Sequence, residues 1–126
     1  MTRATLLSYA DAWRAGDITR MLDAYADDVV FHYYGETDLA GDHVGKDAAV
    51  GAMLAASTRS TRTLVEIVDV LAGDERGAIV AIERFERDGE SQAVQRVLLY
   101  RVHAGLIVEC WLYDGDQRMI DRFWAP

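Results

Sequence analysis

Cysteine, proline and lysine each occur once in the 126 residues of this chain. A lone Cys110 excludes an internal disulfide and a cysteine-rich metal site. The only proline, Pro126, is the last residue, so no strand is interrupted by proline. Positive charge is scarce as well. Thirteen Lys and Arg stand against 21 Asp and Glu, giving a net charge of −8 and a pI near 4.7. So acidic a chain is not expected to take nucleic acid, where phosphate neutralisation needs clustered Lys and Arg. It is also repelled by anionic membranes. No apolar run approaches the roughly 20 residues that span a bilayer. The opening residues, MTRATLLSYADAW, lack the apolar stretch of a signal peptide, and the cytoplasm is the expected location. There is no HxxxH, no Cys–His cluster and no carboxylate set at metal-ligand spacing. GxGxxG, Walker and Gly-x-Ser-x-Gly sequences are missing too. No metal and no cofactor are expected.

What is present is globular in balance. Hydrophobic residues are 51% and charged residues 27%, and the length predicts one domain over residues 1–126. Leu6, Leu7, Tyr9, Ala10 and Trp13 recur at helical spacing between Thr2 and Ala15. Gly16 fits the helix stop and Asp17 the cap of a second helix carrying Ile18, Met21, Leu22 and Tyr25. After an Asp27-Asp28 break, Val29 to Tyr34 is a β-branched and aromatic run that predicts a strand. Gly35 to Gly45 is polar and Gly-rich, a loop, and Asp47 can cap a third helix over Ala48 to Ser57. Four long strands are then predicted: Thr61–Leu71, Ala78–Arg87, Ser91–His103 and Leu106–Tyr113. Asp88-Gly89 is a strong hairpin signal, and Ala104-Gly105 a second tight turn. A short apolar tail with Met119, Ile120, Phe123 and Trp124 follows. Helices first and a hairpin-connected meander last predict an α+β fold.

Four strings resemble the NTF2-like superfamily, the group of ketosteroid isomerases, limonene epoxide hydrolases and SnoaL-like polyketide cyclases. They are AWRAGDITRMLDAYADDVVFH, LAGDHVGKDAAV, VEIVDVLAGDE and CWLYDGDQRMIDRFW. The resemblance covers nearly the whole chain. It implies a cone of three N-terminal helices on a curved, mainly antiparallel sheet around an apolar pocket. It does not fix an activity, because this scaffold hosts isomerases, hydrolases, dehydratases, cyclases and non-catalytic proteins.

Strand alternation sorts the candidate residues by face. On the last strand, Glu109, Trp111 and Tyr113 share one face; Val108, Cys110 and Leu112 share the other. In the resembled enzymes the Trp-bearing face looks into the pocket, which would place Trp111 and Tyr113 there and keep Cys110 outside. His32 lies close to where ketosteroid isomerases place their catalytic Asp, and is the first candidate for the acid/base group. Its alternative is a structural histidine bonded to a neighbouring carboxylate. Tyr34 shares its face. Tyr9 and Trp13, four apart, share a helix face. Tyr9 is either an oxyanion donor, as the resemblance implies, or part of a core stripe. Met53, on the third helix, is a candidate pocket wall with Trp13, Tyr34 and Trp111. Arg84 and Glu86 look like the Arg-x-Asp pair of limonene epoxide hydrolases, in which two carboxylates flank an Arg. The second acid would fall at Tyr113, so Arg84 and Glu86 are alternatively a surface ion pair. Asp69, in an apolar strand, is either a catalytic acid or the partner of an Arg such as Arg96. His43 and His103 are expected to face solvent.

Three functions remain open at this level. The first is a cofactor-free enzyme acting on a small neutral metabolite, polyketide, terpenoid or steroid-like, by proton transfer in isomerisation, cyclisation or dehydration. The second is an epoxide hydrolase or epoxide-opening cyclase using Arg84 and Glu86. The third is a non-catalytic ligand-binding or dimerisation module, a homodimer through a sheet face carrying Leu64, Val68, Val70 and Phe85.

Overall fold

The computed structural model describes residues 1–126. Helices α1 (Thr2–Ala15) and α2 (Ile18–Asp23) are followed by strands β1 (Tyr25–Tyr33) and β2 (Gly41–Val44), then helix α3 (Lys46–Arg59). The meander is β3 (Thr61–Ala72), β4 (Arg76–Arg87), β5 (Glu90–His103) and β6 (Leu106–Asp114), and helix α4 (Gln117–Phe123) closes the chain. The fold is α+β, with the helices on one six-stranded sheet of order β2-β1-β6-β5-β4-β3. Only the β1–β6 pairing is parallel. Register shifts within β1, in β3 and between β5 and β6 mark irregularities of the bulge type, which bend and twist a sheet.

Local chemistry explains most boundaries. Gly16 ends α1 in the left-handed region at φ 66°. The Asp17 side chain accepts the Arg20 N–H at 3.1 Å and caps α2. Asp88-Gly89 and Ala104-Gly105 both have positive φ at the two central positions, the geometry of two-residue hairpins. Four expectations differ. Asp27 and Asp28 do not break the chain; they sit exposed within β1, where its register on β6 shifts. Part of the Gly35–Gly45 segment pairs with β1 as the edge strand β2. The tail is a helix, because the Asp116 side chain accepts the Met119 N–H at 3.0 Å and α4 buries Met119, Ile120 and Phe123. Gly45, not Asp47, is the N-cap of α3.

The core lies between the inner sheet face and the helices. α3 presents Ala49, Ala52 and Ala56, so it approaches the sheet closely. α1 contributes Leu6, Tyr9 and Ala10. Val70 and Phe85 are buried in this core rather than on the outer face. The exposed apolar residues of β3 are Val65, Val68 and Leu71. No helix is long and apolar enough to cross a membrane.

Candidate functional site

A charge cluster lies under the helices on the inner sheet face. Arg96 on β5 stands opposite Asp114 on β6 and opposite Ala81 on β4; Glu83 lies two residues further along β4, the diagonal position. The Arg96 side chain donates from Nε to Asp114 Oδ1 at 2.6 Å, from Nη2 to Asp114 Oδ2 at 3.3 Å and from Nη1 to Glu83 Oε1 at 3.0 Å. All three side chains are at most 2% exposed. Charges this deep persist only when paired and hydrogen-bonded. Burial opposes the Arg96 charge, but Asp114 and Glu83 outweigh it and hold the guanidinium well above its ordinary range. Phe85 and Trp124 enclose the guanidinium at 5.2 and 5.4 Å. Trp124 is fixed by its backbone: its carbonyl accepts from Arg59 at 2.9 Å, while Arg87 donates to the carbonyls of Arg122, Phe123 and Ala125. Arg62 on β3 adds a second guanidinium, with Nε 3.3 Å from Glu83 Oε2. Its side chain is 30% exposed.

Glu83, Arg96 and Arg62 line one end of a narrow cavity of about 50 Å³. Its other walls are apolar and aromatic, with partly buried Trp13, Met21 and Met53 at its outer part and Leu112 within. Four tyrosines, Tyr9, Tyr25, Tyr33 and Tyr100, line it. The Tyr9 and Tyr25 hydroxyls hydrogen-bond each other, and the Tyr9 ring packs edge-on against Tyr25 at 5.5 Å and Tyr100 at 5.8 Å. The Tyr100 hydroxyl is buried with no hydrogen-bond partner. Burial pushes the phenols of Tyr9, Tyr25 and Tyr100 well above their ordinary value, and Tyr33 up to about 12. All stay protonated near neutrality and act as donors. The Tyr9–Tyr25 pair carries two hydroxyl hydrogens and uses one internally, so one remains for a ligand.

The SnoaL-like domain family matches residues 6–110. The chain belongs to this family. Among solved structures, the SnoaL-like chain is similar to a protein of unknown function with a cystatin-like fold from Xanthomonas campestris. That match has 30% identity, a TM-score of 0.88 and coverage of 99% of this chain and 98% of the other. It is also similar in fold to an NTF2-like protein from Burkholderia xenovorans LB400, with 21% identity, a TM-score of 0.77 and coverage of 94% and 92%. A third similar fold is that of a proposed polyketide cyclase from Xanthomonas campestris pv. campestris, with 19% identity, a TM-score of 0.77 and coverage of 98% and 99%. No curated protein matches.

Of the residues singled out in the sequence, the SnoaL-like domain brings Tyr9, Trp13 and Met53 to the cavity. The others lie elsewhere. The face of β6 that meets the cavity is Cys110 and Leu112, so Glu109, Trp111 and Tyr113 point to the outer side of the sheet. Burial pushes the Cys110 thiol up to about 12, which keeps it protonated and unreactive. His32 and Tyr34 share the outer side; Tyr34 stacks on Tyr113 at 5.2 Å, both exposed. Arg84 and Glu86 are exposed on the outer face of β4, with Arg84 donating to Ser91 at 3.1 Å. Asp69 is exposed at the irregular part of β3, where its carboxylate accepts its neighbour Val70 N–H at 2.8 Å. It is not the Arg96 partner. His43 is partly buried, bonded to the Leu39 carbonyl at 2.7 Å, rather than solvent-facing. The missed residues, Glu83, Arg96, Tyr25 and Tyr100, carry a signal of their own. Glu83 interrupts the apolar alternation Ile79, Ala81, Phe85, and Arg96 interrupts Val94, Leu98, Tyr100.

His32 forms a separate cluster. Its Nδ1 meets Asp42 at 2.7 Å and its Nε2 meets Glu109 at 2.6 Å, while Arg101 holds the other Glu109 oxygen at 3.2 Å. The imidazole stacks on Trp111 at 5.3 Å, and Arg76 lies 4.9 Å over the same indole. Burial lowers the His32 pKa, but the two carboxylates outweigh it and hold it above the usual value. Burial raises the Glu109 pKa, and His32 with Arg101 outweigh that, leaving it lowered. A raised folded-state pKa stabilises below the unfolded-state value and is lost as pH rises through the folded-state one. A lowered carboxyl behaves in reverse, losing its contribution as pH falls. The cluster therefore stabilises most in mildly acidic solution, above the Glu109 titration and below that of His32. Melting temperature is expected to fall as pH rises past neutrality in the parent and to lose that component in His32→Gln. Identical pH profiles for the two proteins would contradict the clamp.

Proposed function

We propose that this chain is a cofactor-free enzyme that moves protons on a small, largely apolar metabolite of polyketide, terpenoid or steroid-like type. The reaction class is isomerisation, cyclisation or dehydration. The observation that carries the reading is that one carboxylate, Glu83, and the Tyr9–Tyr25 hydroxyl pair line the same apolar cavity. A proton leaves a carbon next to a substrate carbonyl for Glu83, negative charge develops on the carbonyl oxygen, and the free tyrosine hydrogen donates to it. Returning the proton from Glu83 to another carbon, or expelling a hydroxide as water, completes isomerisation or dehydration. Arg96 and Arg62 orient the carboxylate, and methionines at the outer part of the cavity yield to ligands of varied outline. Similarity to a proposed polyketide cyclase supports the substrate type.

The test is solvent deuterium exchange on a panel of enolisable cyclic ketones and β-diketones, followed by proton NMR. Catalysed exchange is expected, with Glu83→Gln slower by about 10²–10⁴ and Tyr9→Phe also reduced. Exchange that persists undiminished in a folded Glu83→Gln protein, or none with any ketone, rules the reading out.

One observation favours a second reading. Arg96, not Arg84, is the guanidinium flanked by two carboxylates, Glu83 and Asp114. Of the two, Glu83 lines the cavity and is the carboxyl that would act on an epoxide there. Diol formation with oxygen incorporated from ¹⁸O-labelled water separates it from the first. The chain is further proposed to form a homodimer through the outer sheet face, where Val65, Val68, Leu71 and Tyr113 are exposed. Light scattering at micromolar concentration is expected to give twice the chain mass, and a monomer mass counts against that face.

A further inference from the structure

We infer that the cavity selects an organic acid, apolar along its middle, with a carboxylate against Arg62 and a second acceptor oxygen against Tyr100. This rests on the reading of the cavity as the substrate site and narrows its ligand. Two donors of the cavity decide the matter, the Tyr100 hydroxyl and the terminal amino groups of Arg62.

The Tyr100 hydroxyl is buried, borders the cavity and has no partner in the protein. A buried hydroxyl without a hydrogen bond is unfavourable and rare in folded proteins. Its protonated phenol offers a hydrogen to whatever enters. No residue of the protein accepts from it, while the Tyr9 and Tyr25 hydroxyls bond each other and Arg96 bonds Glu83 and Asp114. An acceptor oxygen such as a ketone carbonyl completes Tyr100.

Arg62 has the complementary character. Its Nε faces Glu83, whereas its two terminal amino groups bond no other residue. The side chain is 30% exposed, against 2% for Glu83, so Arg62 stands where the cavity meets solvent. Two parallel N–H groups on a planar guanidinium match a carboxylate in bidentate fashion. An alcohol presents a single acceptor, and an amide replaces one acceptor oxygen with a donor that the guanidinium cannot receive. Arg62 and Tyr100 share the cavity with Trp13, Met53, Leu98 and Leu112, apolar walls that admit hydrocarbon.

The charge balance permits the anion. Two arginines and two acids make the cluster neutral before the ligand arrives. The surface acids that give the chain its net charge act through solvent, where screening has a reach of about 8 Å at physiological salt. A direct charge-assisted pair with Arg62 is screened far less.

The test compares 4-acetylbenzoate with 4-acetylbenzamide, which share shape and ketone and differ at the acid end. Calorimetric titration of the full chain is expected to show the acid binding at least about tenfold more tightly. Arg62→Gln, at a partly exposed position, is expected to abolish that preference. Tyr100→Phe, which keeps the ring, is expected to weaken both probes by a similar factor. Equal binding of the two probes by the parent protein overturns the inference while leaving the cavity a ligand site. So does a preference that survives Arg62→Gln. Affinities unchanged in Tyr100→Phe overturn the acceptor end. Failure of both probes to bind at millimolar concentration overturns the inference through its base, whereas deuterium exchange on neutral ketones would still stand for the reaction.

Discussion

Arg96→Ala is expected to lower the unfolding free energy by roughly 3–5 kcal/mol, the range for removing one partner of a buried ion pair. The loss comes less from the missing attraction than from what stays behind. Glu83 would keep Arg62, but Asp114 would lose both of its hydrogen bonds with Arg96 while buried. The space between Phe85 and Trp124 would also empty, and a large-to-small change in a filled core adds a cavity term. A domain of this size is stable by about 5–15 kcal/mol, so the single change removes a large part of that margin. Urea denaturation followed by tryptophan fluorescence measures it. The triple change Arg96→Met, Glu83→Gln, Asp114→Asn removes the charges together and is expected to recover most of the loss. A single variant within about 1 kcal/mol of the parent would show that the cluster is solvated and not a buried triad.

Gly77→Ala is expected to destabilise by at least about 1–3 kcal/mol, the usual range for overfilling a packed core. A β-carbon at Gly77 would lie 2.5 Å from Leu6 Cδ1 and 2.5 Å from the Leu71 carbonyl oxygen, with Ala72 Cα at 3.3 Å. Carbon atoms rest about 3.5–4.0 Å apart. Leu6 is fully buried and has nowhere to turn, and the Leu71 oxygen belongs to the backbone of the paired strand. The remaining adjustment is for α1 to lift from the sheet, carrying Tyr9 and Trp13 away from the cavity. Loss of stability and weakened ligand binding are therefore expected together. Gly51→Ala on α3, where nothing lies within 4 Å of the added carbon, is the control and is expected to be neutral or slightly stabilising. Thermal melts of the two variants that coincide would contradict the close approach of α1.

Much of the fold is legible along the chain because it depends on local chemistry. Gly16, Asp17, Asp88-Gly89 and Ala104-Gly105 mark boundaries by backbone freedom and capping, and the structure uses each of them so. The short strand β2 is harder to see, since its four residues gain their form from pairing with β1. α4 depends on an aspartate cap and on a core that only tertiary contact supplies. The site is less legible for a different reason. Alternation divides β6 into two faces but does not say which one is inside. The aromatic set Trp111 and Tyr113 looks like cavity wall, yet it is occupied by stacking with His32, Arg76 and Tyr34 on the outer side. The charge cluster is assembled from four strands, β3 to β6, and its members become neighbours only through register. A guanidinium or carboxylate inside an apolar alternation, as at Arg96 and Glu83, is the trace it leaves in the sequence.

The parallel pairing of β1 with β6 sets the order in which the molecule can be completed. His32 and Glu109, bonded across that seam, are 77 positions apart in the chain. During synthesis the first strand emerges with no inner neighbour and must wait until nearly the whole polypeptide has left the ribosome. The hairpins from β3 to β6 can form meanwhile, since each is local. Contacts of such separation slow folding, because the loop must close before it is rewarded. The waiting segment, with Phe31 and Tyr33 bare and one strand edge open, is the stretch most exposed to misassociation. Ribosome-arrested chains are thus expected to gain protease resistance in this segment only when β6 has emerged.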